Sequence, residues 1–211
     1  DFNVTEVYHK GTKIIRDEKK EIRACDPKLK NTVHISNFSE KQLELPWKEG
    51  KAHILRMLEG QIVTEDILEE PSYKEKDGRK FFISDDRFQK IAVIERHKGT
   101  GKNSVGIVSG FGLRGGAIAS SVSHDSHNII VIGDNDHDMY LAVQELIRTQ
   151  GGYTLVKNGQ VFDTLPLSIM GLMSDLGYEK VNEILGRMIP EAHRMGIPDG
   201  FDPFITLSFM A

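Results

Sequence analysis

One stretch of the sequence decides the fold: Asn128-Ile129-Ile130-Val131-Ile132-Gly133. Four consecutive β-branched residues in a short, unbroken apolar run predict a buried strand. The polar residues 134–136 that follow are typical of a helix start, where side-chain oxygens and negative charge are favoured. Apolar residues then recur at helical spacing from Met139 to Ile147. A buried strand that leads at once into an amphipathic helix indicates a layered α/β domain.

Further strands are predicted on both sides of this unit. Ile91–Ile94 and Val105–Val108 are short and β-branched, which favours buried strands. Two apolar segments flank Lys157-Asn158-Gly159, whose Asn-Gly pair is typical of a tight β-hairpin turn. Residues 69–78 are polar, and we expect them to form a turn.

A last helix is expected toward the end of the sequence, with an apolar face that runs from Val181 to Ile189. Pro190 should break or kink this helix, because proline lacks a backbone donor and its ring clashes with the preceding turn. The order of elements predicts the α/β (α+β) fold class: a layered domain whose sheet is mixed or largely antiparallel.

The start of the chain is predicted to form a separate unit. Apolar and polar residues alternate in segments 2–8 and 12–15, on either side of His9-Lys10-Gly11, and this pattern indicates a β-hairpin. The polar stretch 17–31 follows as a connection that buries little. We therefore expect one unit over residues 1–35 and a main domain over residues 36–211.

Composition excludes several classes of protein. The net charge is −4, and basic residues are scattered among acidic ones, so no nucleic-acid partner is expected. The single cysteine fits a reducing, cytoplasmic location. No apolar run approaches the ~20 residues that span a bilayer, so no membrane partner is expected.

The densest cluster of reactive side chains is Ser123-His124-Asp125-Ser126-His127-Asn128. It directly precedes the buried strand, a common position for a functional site. The alternative is a polar loop whose Asp and Ser side chains cap its own backbone. A metal site is disfavoured, since His-x-x-His on a strand points the two rings to opposite faces. A Ser-His-Asp triad is also disfavoured, because sequence neighbours rarely have the required geometry.

A second motif, Gly110-Phe111-Gly112-Leu113-Arg114-Gly115, matches the G-x-G-x-x-G pattern of dinucleotide-binding turns. Asp134 lies where a ribose-binding acid would be expected. Residues 116–126 make a poor helix, which counts against this interpretation. A nucleotide-binding regulatory domain and a structural oligomerisation domain are the two alternative functions that stay open.

Three sets of motifs carry a resemblance to a known family. Residues 110–121 and 123–133 are similar to the C-terminal domain of adenine deaminases, and Gly171–Asp175 and Asp202–Phe209 resemble that domain's later motifs in the same order. Residues 2–15 resemble the strand pair that completes the family's small β-sandwich.

This resemblance implies an amidohydrolase that converts adenine and water to hypoxanthine and ammonia, with two Mn²⁺ or Fe²⁺ ions in a barrel domain. The chain contains no His-x-His pair, so we expect the metal ligands upstream of Asp1 and no metal in this chain. We expect a C-terminal fragment that is inactive alone, that contacts its own N-terminal barrel and that belongs to a homo-oligomer.

The resemblance also suggests roles for the histidine cluster. His124, Asp125 and His127 are the catalytic candidates, with a histidine as proton carrier and the carboxylate fixing a tautomer. Candidates for binding adenine are Ser123, Ser126 and Asn128. We expect the cluster to lie at an exposed edge or cleft near the glycine turn of residues 110–116.

Overall fold

The computed structural model describes residues 4–14 and 24–210. Its centre is an eight-stranded sheet with the order β13-β12-β10-β11-β8-β9-β4-β5. The strands of this sheet are β4 (Ala52–Met57), β5 (Thr64–Glu69), β8 (Phe88–Ile94), β9 (Asn103–Ser109), β10 (Gly116–Ser120), β11 (Ile129–Gly133), β12 (Gly152–Lys157) and β13 (Gln160–Pro166). Neighbouring strands are antiparallel except β4 and β9, which are parallel. This confirms the predicted mixed, largely antiparallel sheet.

The sheet is covered on both faces, which gives the domain three layers. Along β11, Ile129 and Val131 pack toward helix α1 (Asp136–Thr149), and Ile130 and Ile132 pack with residues of helices α2 (Tyr178–Arg194) and α3 (Pro203–Ser208). All four side chains are fully buried. Burial of each contributes about 1.5–3 kcal/mol, which explains why the strand is apolar at every position.

Helix α1 begins and ends close to the predicted positions. The side chain of Asn135 caps its start by accepting a hydrogen bond from the N–H of Asp138. At its end Gln150 adopts a left-handed conformation before Gly151. The buried residues Met139, Ala142, Val143 and Leu146 confirm the predicted apolar face.

Helix α2 is not broken at Pro190, one of the two predicted outcomes, because it continues to Arg194. The last turn carries Glu191 and Ala192, which are buried, and Met188 is buried on the preceding turn. Packing on both sides of the proline therefore outweighs its missing hydrogen bond, whose typical cost is about 3 kcal/mol.

A second sheet has three strands and, within the described residues, shares no strand pairing with the main sheet. Its strands are, in order, β3 (Pro46–Trp47), β7 (Arg79–Phe82) and β6 (Tyr73–Lys76). Residues 69–78, predicted to be a turn, instead contain strand β6, and the tight turn is confined to Asp77-Gly78. Both turn residues have positive φ, the conformation that Asp-Gly pairs favour in two-residue hairpins. Charged side chains made this exposed strand look like a loop.

The first described residues form a two-stranded hairpin, β1 (Tyr8–His9) and β2 (Thr12–Lys13), which confirms the predicted pairing. Phe2, Asn3 and Ile15 of that prediction, and residues 17–23 of the predicted connection, lie outside the described residues. The division at residues 35 and 36 stays a prediction. Short 3-10 helices span Pro27–Leu29 and Glu40–Leu43. Between them Val33 is buried, and its N–H donates to Oε1 of Gln150 at 3.1 Å.

Candidate functional site

The histidine loop, residues 123–128, connects the central strands β10 and β11. The glycine turn, residues 110–115, enters β10 from the other end. Five strand residues at about 3.3 Å each place the two loops roughly 17 Å apart. The predicted proximity of the histidine cluster to the glycine turn is therefore wrong. Strand β10 lies between the glycine turn and the histidine loop, so these two loops lie at opposite ends of the sheet. A short connecting loop in place of the strand would have kept them close together.

Hydrogen bonds within the histidine loop fix its backbone. The N–H of His127 donates to the carbonyl of Ser123 at 2.7 Å, and that of Ser126 donates to the carbonyl of His124 at 2.9 Å. Asp125 and His127 both adopt the left-handed conformation, with φ of 69° and 50°. Such backbone is uncommon for non-glycine residues, and where it persists the surrounding structure holds it in place.

The His124 side chain is presented to solvent at the tip of the loop. Its ring stacks on Phe209 with 4.9 Å between the ring centroids, and the backbone N–H of His124 donates to the carbonyl of Ser208 at 2.6 Å. Nδ1 lies 3.1 Å from a carboxylate oxygen of Asp125. A proton on Nδ1 satisfies this contact and leaves Nε2 as an acceptor. Because His124 is 58% and Asp125 is 94% exposed, both can reach an external molecule.

The other members of the cluster are less accessible. Ser123 is fully buried, and its hydroxyl lies 3.1 Å from that of Ser126. The Ser126 hydroxyl also accepts the N–H of Asn128 at 3.3 Å. Both serines therefore brace the loop, as in the self-capping alternative.

Two buried polar atoms at this end of the sheet have no hydrogen-bond partner among the described residues. They are Nδ1 of His127 and Oδ1 of Asn128. Unpaired buried polar atoms are rare in folded proteins, and each one suggests a missing partner. Asn128 also borders an open cleft, whose other lining residues are Val93, Glu95, Gly101, Lys102, Asn103 and Ser104.

Arg96 lies at this end of the sheet with its side chain almost fully buried. The guanidinium donates to the carbonyls of His127, Thr32 and Met170. Burial lowers the pKa of Arg96, although a guanidinium stays protonated in proteins. The neighbouring His97 places Nε2 3.0 Å from the carbonyl of Ser126. In the sequence, Arg96 and His97 stand only near the end of the predicted strand Ile91–Ile94, and a lone histidine there favours a structural over a catalytic role.

Separate sequence motifs thus meet at the histidine-loop end of the sheet. Segment 202–209 contacts it through Ser208 and Phe209. Segment 171–175 is attached through Gly171, whose carbonyl accepts the hydroxyl of Ser121 at 2.6 Å. No local pattern marks these contacts, because they join residues 50 to 85 positions apart.

At the opposite end of the sheet, acidic side chains are bound to partners within the protein. The carboxylate of Asp134 accepts the N–H groups of Gly115 at 2.5 Å and Gly116 at 3.1 Å. These are backbone donors of the kind that a dinucleotide-binding turn uses for phosphate. The turn is also followed by a strand rather than a helix. Both findings contradict the nucleotide-binding alternative.

A buried ion pair lies beside this turn. Lys90 of β8 is almost fully buried and bonds to the carboxylate of Asp136 at the start of α1. Burial lowers the pKa of Lys90, and Asp136 opposes that effect. Around the pair is a cleft of mixed charge, to which Glu40, Lys41, Glu44, Lys74, Lys76 and His137 contribute.

Metal ligands are not gathered in the part of the chain that the structure describes. Across residues 4–14 and 24–210, no three His, Cys, Asp or Glu side chains come together as a metal-binding group. The described residues therefore do not fit the two-ion centre that the resemblance implies. Among the same residues, no helix combines the length and apolarity needed to cross a membrane.

Comparison with known proteins gives a consistent result over almost the entire chain. Residues 61–211 match the model of the adenine deaminase C-terminal domain. An adenine deaminase of Desulfitobacterium hafniense (strain Y51) is 46% identical over 205 residues, which cover 97% of this chain and 35% of the relative. Adenine deaminases of Nitratidesulfovibrio vulgaris (strain DP4) and Halalkalibacterium halodurans are 42% and 41% identical, each covering 99% of this chain and 36% of the relative.

The chain spans about a third of the length of these relatives. The matched residues contain the glycine turn, the histidine loop and both later motifs, so the family assignment covers the entire candidate site. The chain belongs to the adenine deaminase family, and residues 61–211 form its C-terminal domain.

Proposed function

We propose that this chain is the C-terminal part of an enzyme that hydrolyses adenine to hypoxanthine and ammonia. The observation that carries the proposal is the convergence of the family's separate motifs at the histidine-loop end of the sheet, with His124 and Asp125 in contact at the tip of the loop. The names of the relatives supply the reaction. We further propose a cytoplasmic enzyme of purine metabolism, assembled as a homo-oligomer.

The metal centre belongs, in this proposal, to an N-terminal barrel domain outside the 211 residues. There Mn²⁺ or Fe²⁺ would supply activated water. The described residues hold no such ligand group, so no step of the mechanism is assigned to a metal in this chain. The task left to this domain is to bind the purine and to move protons.

The histidine loop closes over the mouth of the barrel in this proposal. His124 carries a proton at Nε2, while Asp125 holds Nδ1 in its protonated form across 3.1 Å. An imidazole suits this task, since its ordinary pKa lies close to neutrality. His127 is the second candidate carrier, because its buried Nδ1 has no partner among the described residues.

Binding of adenine is proposed for the amide of Asn128, which offers both a donor and an acceptor to a purine edge. Its Oδ1 is free of hydrogen bonds to the described residues, which supports this role. Ser126 is the further exposed candidate. Ser123 contributes indirectly, since its buried hydroxyl holds that of Ser126.

An activity comparison tests the proposal. We expect the full-length protein to release ammonia from adenine, whereas the purified 211-residue chain folds but releases none, because it lacks the ligands for activated water. Metal-dependent ammonia release from the purified chain, free of host enzyme, would contradict this division of labour. A full-length protein that leaves adenine unchanged would contradict the proposed reaction.

A further inference from the structure

We propose that Arg96 is a positioning residue that sets the conformation of the histidine loop for proton transfer. The proposal rests on the proposed function, because it assigns a cause to the placement of His127. Arg96 lies two residues after the end of strand β8 and is 1% exposed. It contacts the backbone of the loop and acts through His127.

The guanidinium joins three segments that are distant in sequence. Its Nε donates to the carbonyl of His127, Nη1 donates to the carbonyl of Thr32 at 3.1 Å, and Nη2 donates to that of Met170 at 3.0 Å. The planar guanidinium spreads its donors over three nitrogens, so it can serve three carbonyls that lie apart from one another. A lysine at this position has a single nitrogen and cannot reach all three.

The bond to His127 acts at the strained point of the loop. His127 has a φ of 50°, and its carbonyl faces the buried guanidinium. Without that donor the carbonyl would be buried and unpaired, which is unfavourable. The peptide unit would turn toward another partner and carry the imidazole of His127 and the amide of Asn128 with it.

The other side of the loop is held independently. His124 is fixed by the Ser208 carbonyl and the Phe209 ring, both from α3 or its C-cap. Arg96 therefore controls the half of the loop that contains His127 and Asn128, the two residues with unpaired buried atoms.

The surroundings of Arg96 are shaped to admit it. A Cβ added to Gly171 would lie 2.9 Å from Cζ and both Nη atoms, so this segment approaches the guanidinium as closely as a glycine allows. Among the described residues no carboxylate pairs with Arg96. A buried cation without a counter-charge is unfavourable, so its hydrogen bonds to carbonyls must compensate.

The test uses the full-length protein with Arg96→Met, Arg96→Lys and the matched control Lys90→Met. Lys90 is also a buried cation of β8, but it lies at the far end of the strand and pairs with Asp136. Two quantities are measured: the hydrogen-exchange rates of amides 123–128, and the pH profile of kcat for adenine deamination. Both are recorded well below each variant's melting temperature.

We expect both Arg96 variants to exchange the loop amides at least ten-fold faster and to lose about 10- to 100-fold in kcat, since small misplacements of a reacting group have effects of that order. The histidine-dependent limb of the pH profile should flatten. A smaller fraction of folded protein would instead lower the apparent kcat by the same factor at every pH. Lys90→Met should keep the loop protected and kcat within about two-fold.

Three results would overturn the proposal: an unchanged kcat profile in folded Arg96→Met, full function in Arg96→Lys, or an equal loss in Lys90→Met. Faster exchange with normal kcat would make Arg96 a structural residue only. If the wild-type protein does not deaminate adenine, the proposed function fails. The exchange comparison then still decides whether Arg96 holds the loop.

Discussion

The two ends of the central sheet differ in how they hold their buried charged groups. At the glycine-turn end, Asp134 occupies the N–H groups of Gly115 and Gly116, and Lys90 pairs with Asp136. At the histidine-loop end a buried arginine is held by carbonyls alone. The histidine loop contains two buried side-chain atoms without a partner among the described residues and two left-handed non-glycine residues, while the glycine-turn end also has the unpaired hydroxyl of Ser109 and the left-handed Asn158.

This difference supports the proposed placement of function at the histidine-loop end. A polar network that satisfies its own members stabilises the fold and has little capacity left for a ligand. Unpaired polar atoms and strained backbone lower stability and tend to occur where a protein binds or reacts. The histidine-loop end has the second character, so the predictions below separate the two ends by measuring kinetics and stability on each.

The largest effect is expected from the two loop histidines. Replacing His124 or His127 with Asn in the full-length protein should lower kcat by about 10²- to 10⁴-fold, the usual contribution of a positioned proton carrier. The melting temperature should change little. Steady-state kinetics and thermal unfolding of the same preparations measure both.

His137→Asn is the matched control for these two variants, because His137 is an exposed histidine at the other end of the sheet. Its kcat should stay at the wild-type value. Normal kinetics in His124→Asn and His127→Asn, or losses that follow lost stability, would show that the loop only braces the sheet.

The glycine-turn end should respond in stability alone. In Gly112→Ala the new Cβ would lie 2.6 Å from the carbonyl oxygen of Gly196, and φ is +76°. A backbone contact cannot relax easily, so we expect a loss of about 3 kcal/mol in the free energy of unfolding. Urea denaturation of the purified chain measures it.

Gly159→Ala separates strain from crowding. Its φ is +78°, but no atom lies within 4 Å of the added Cβ, so a loss of only about 1 kcal/mol is expected. In the full-length protein, folded Gly112→Ala should deaminate adenine at the wild-type rate. A catalytic defect there would remove the distinction between the two ends.

Periodicity predicted the layered core well, because burial on both faces leaves a continuous apolar run such as residues 129–132. It failed where tertiary packing decides the local structure. Helix α2 continues beyond Pro190, and the exposed residues Tyr73–Lys76 form strand β6. The histidine cluster was found from its composition. Arg96 was missed because its role depends on carbonyls that are 31 to 74 positions away in sequence.

A smaller loss of stability is expected for Asp134→Asn. The neutral amide weakens two charge-assisted bonds to the N–H groups of Gly115 and Gly116, and we expect a loss of about 1–2 kcal/mol. The matched control is Asp125→Asn, which neutralises an acidic side chain at the histidine-loop end of the sheet. Its side chain is 94% exposed, so its unfolding free energy should stay within about 0.5 kcal/mol of wild type. Equal losses in urea denaturation would contradict the contrast.

The smallest effect concerns the acid stability of the turn that carries His97. Hydrogen bonds from the Thr100 N–H, and then from the N–H groups of Lys98 and His97 and the Thr100 hydroxyl, lower the pKa of Glu95 to about 2. Because the folded-state pKa lies below the ordinary value of 4.5, the stabilisation is present above pH 4.5. It is lost as the pH falls toward 2.

The Glu95 carboxylate is largely solvated, and solvent screening reduces its contribution to about 1 kcal/mol. Glu95→Gln should therefore lower the unfolding free energy at pH 7 by about this amount and should equal wild type near pH 2, as measured by urea denaturation across that range. A constant difference between the two proteins at every pH would show that the amide disturbs packing rather than charge. The same variant has a second expected effect, on the histidine loop. Since His97 contacts the carbonyl of Ser126, the hydrogen-exchange rate of the loop amides in Glu95→Gln should increase slightly at pH 7. Unchanged exchange would show that this turn does not support the loop and that anchoring depends on Arg96 and α3.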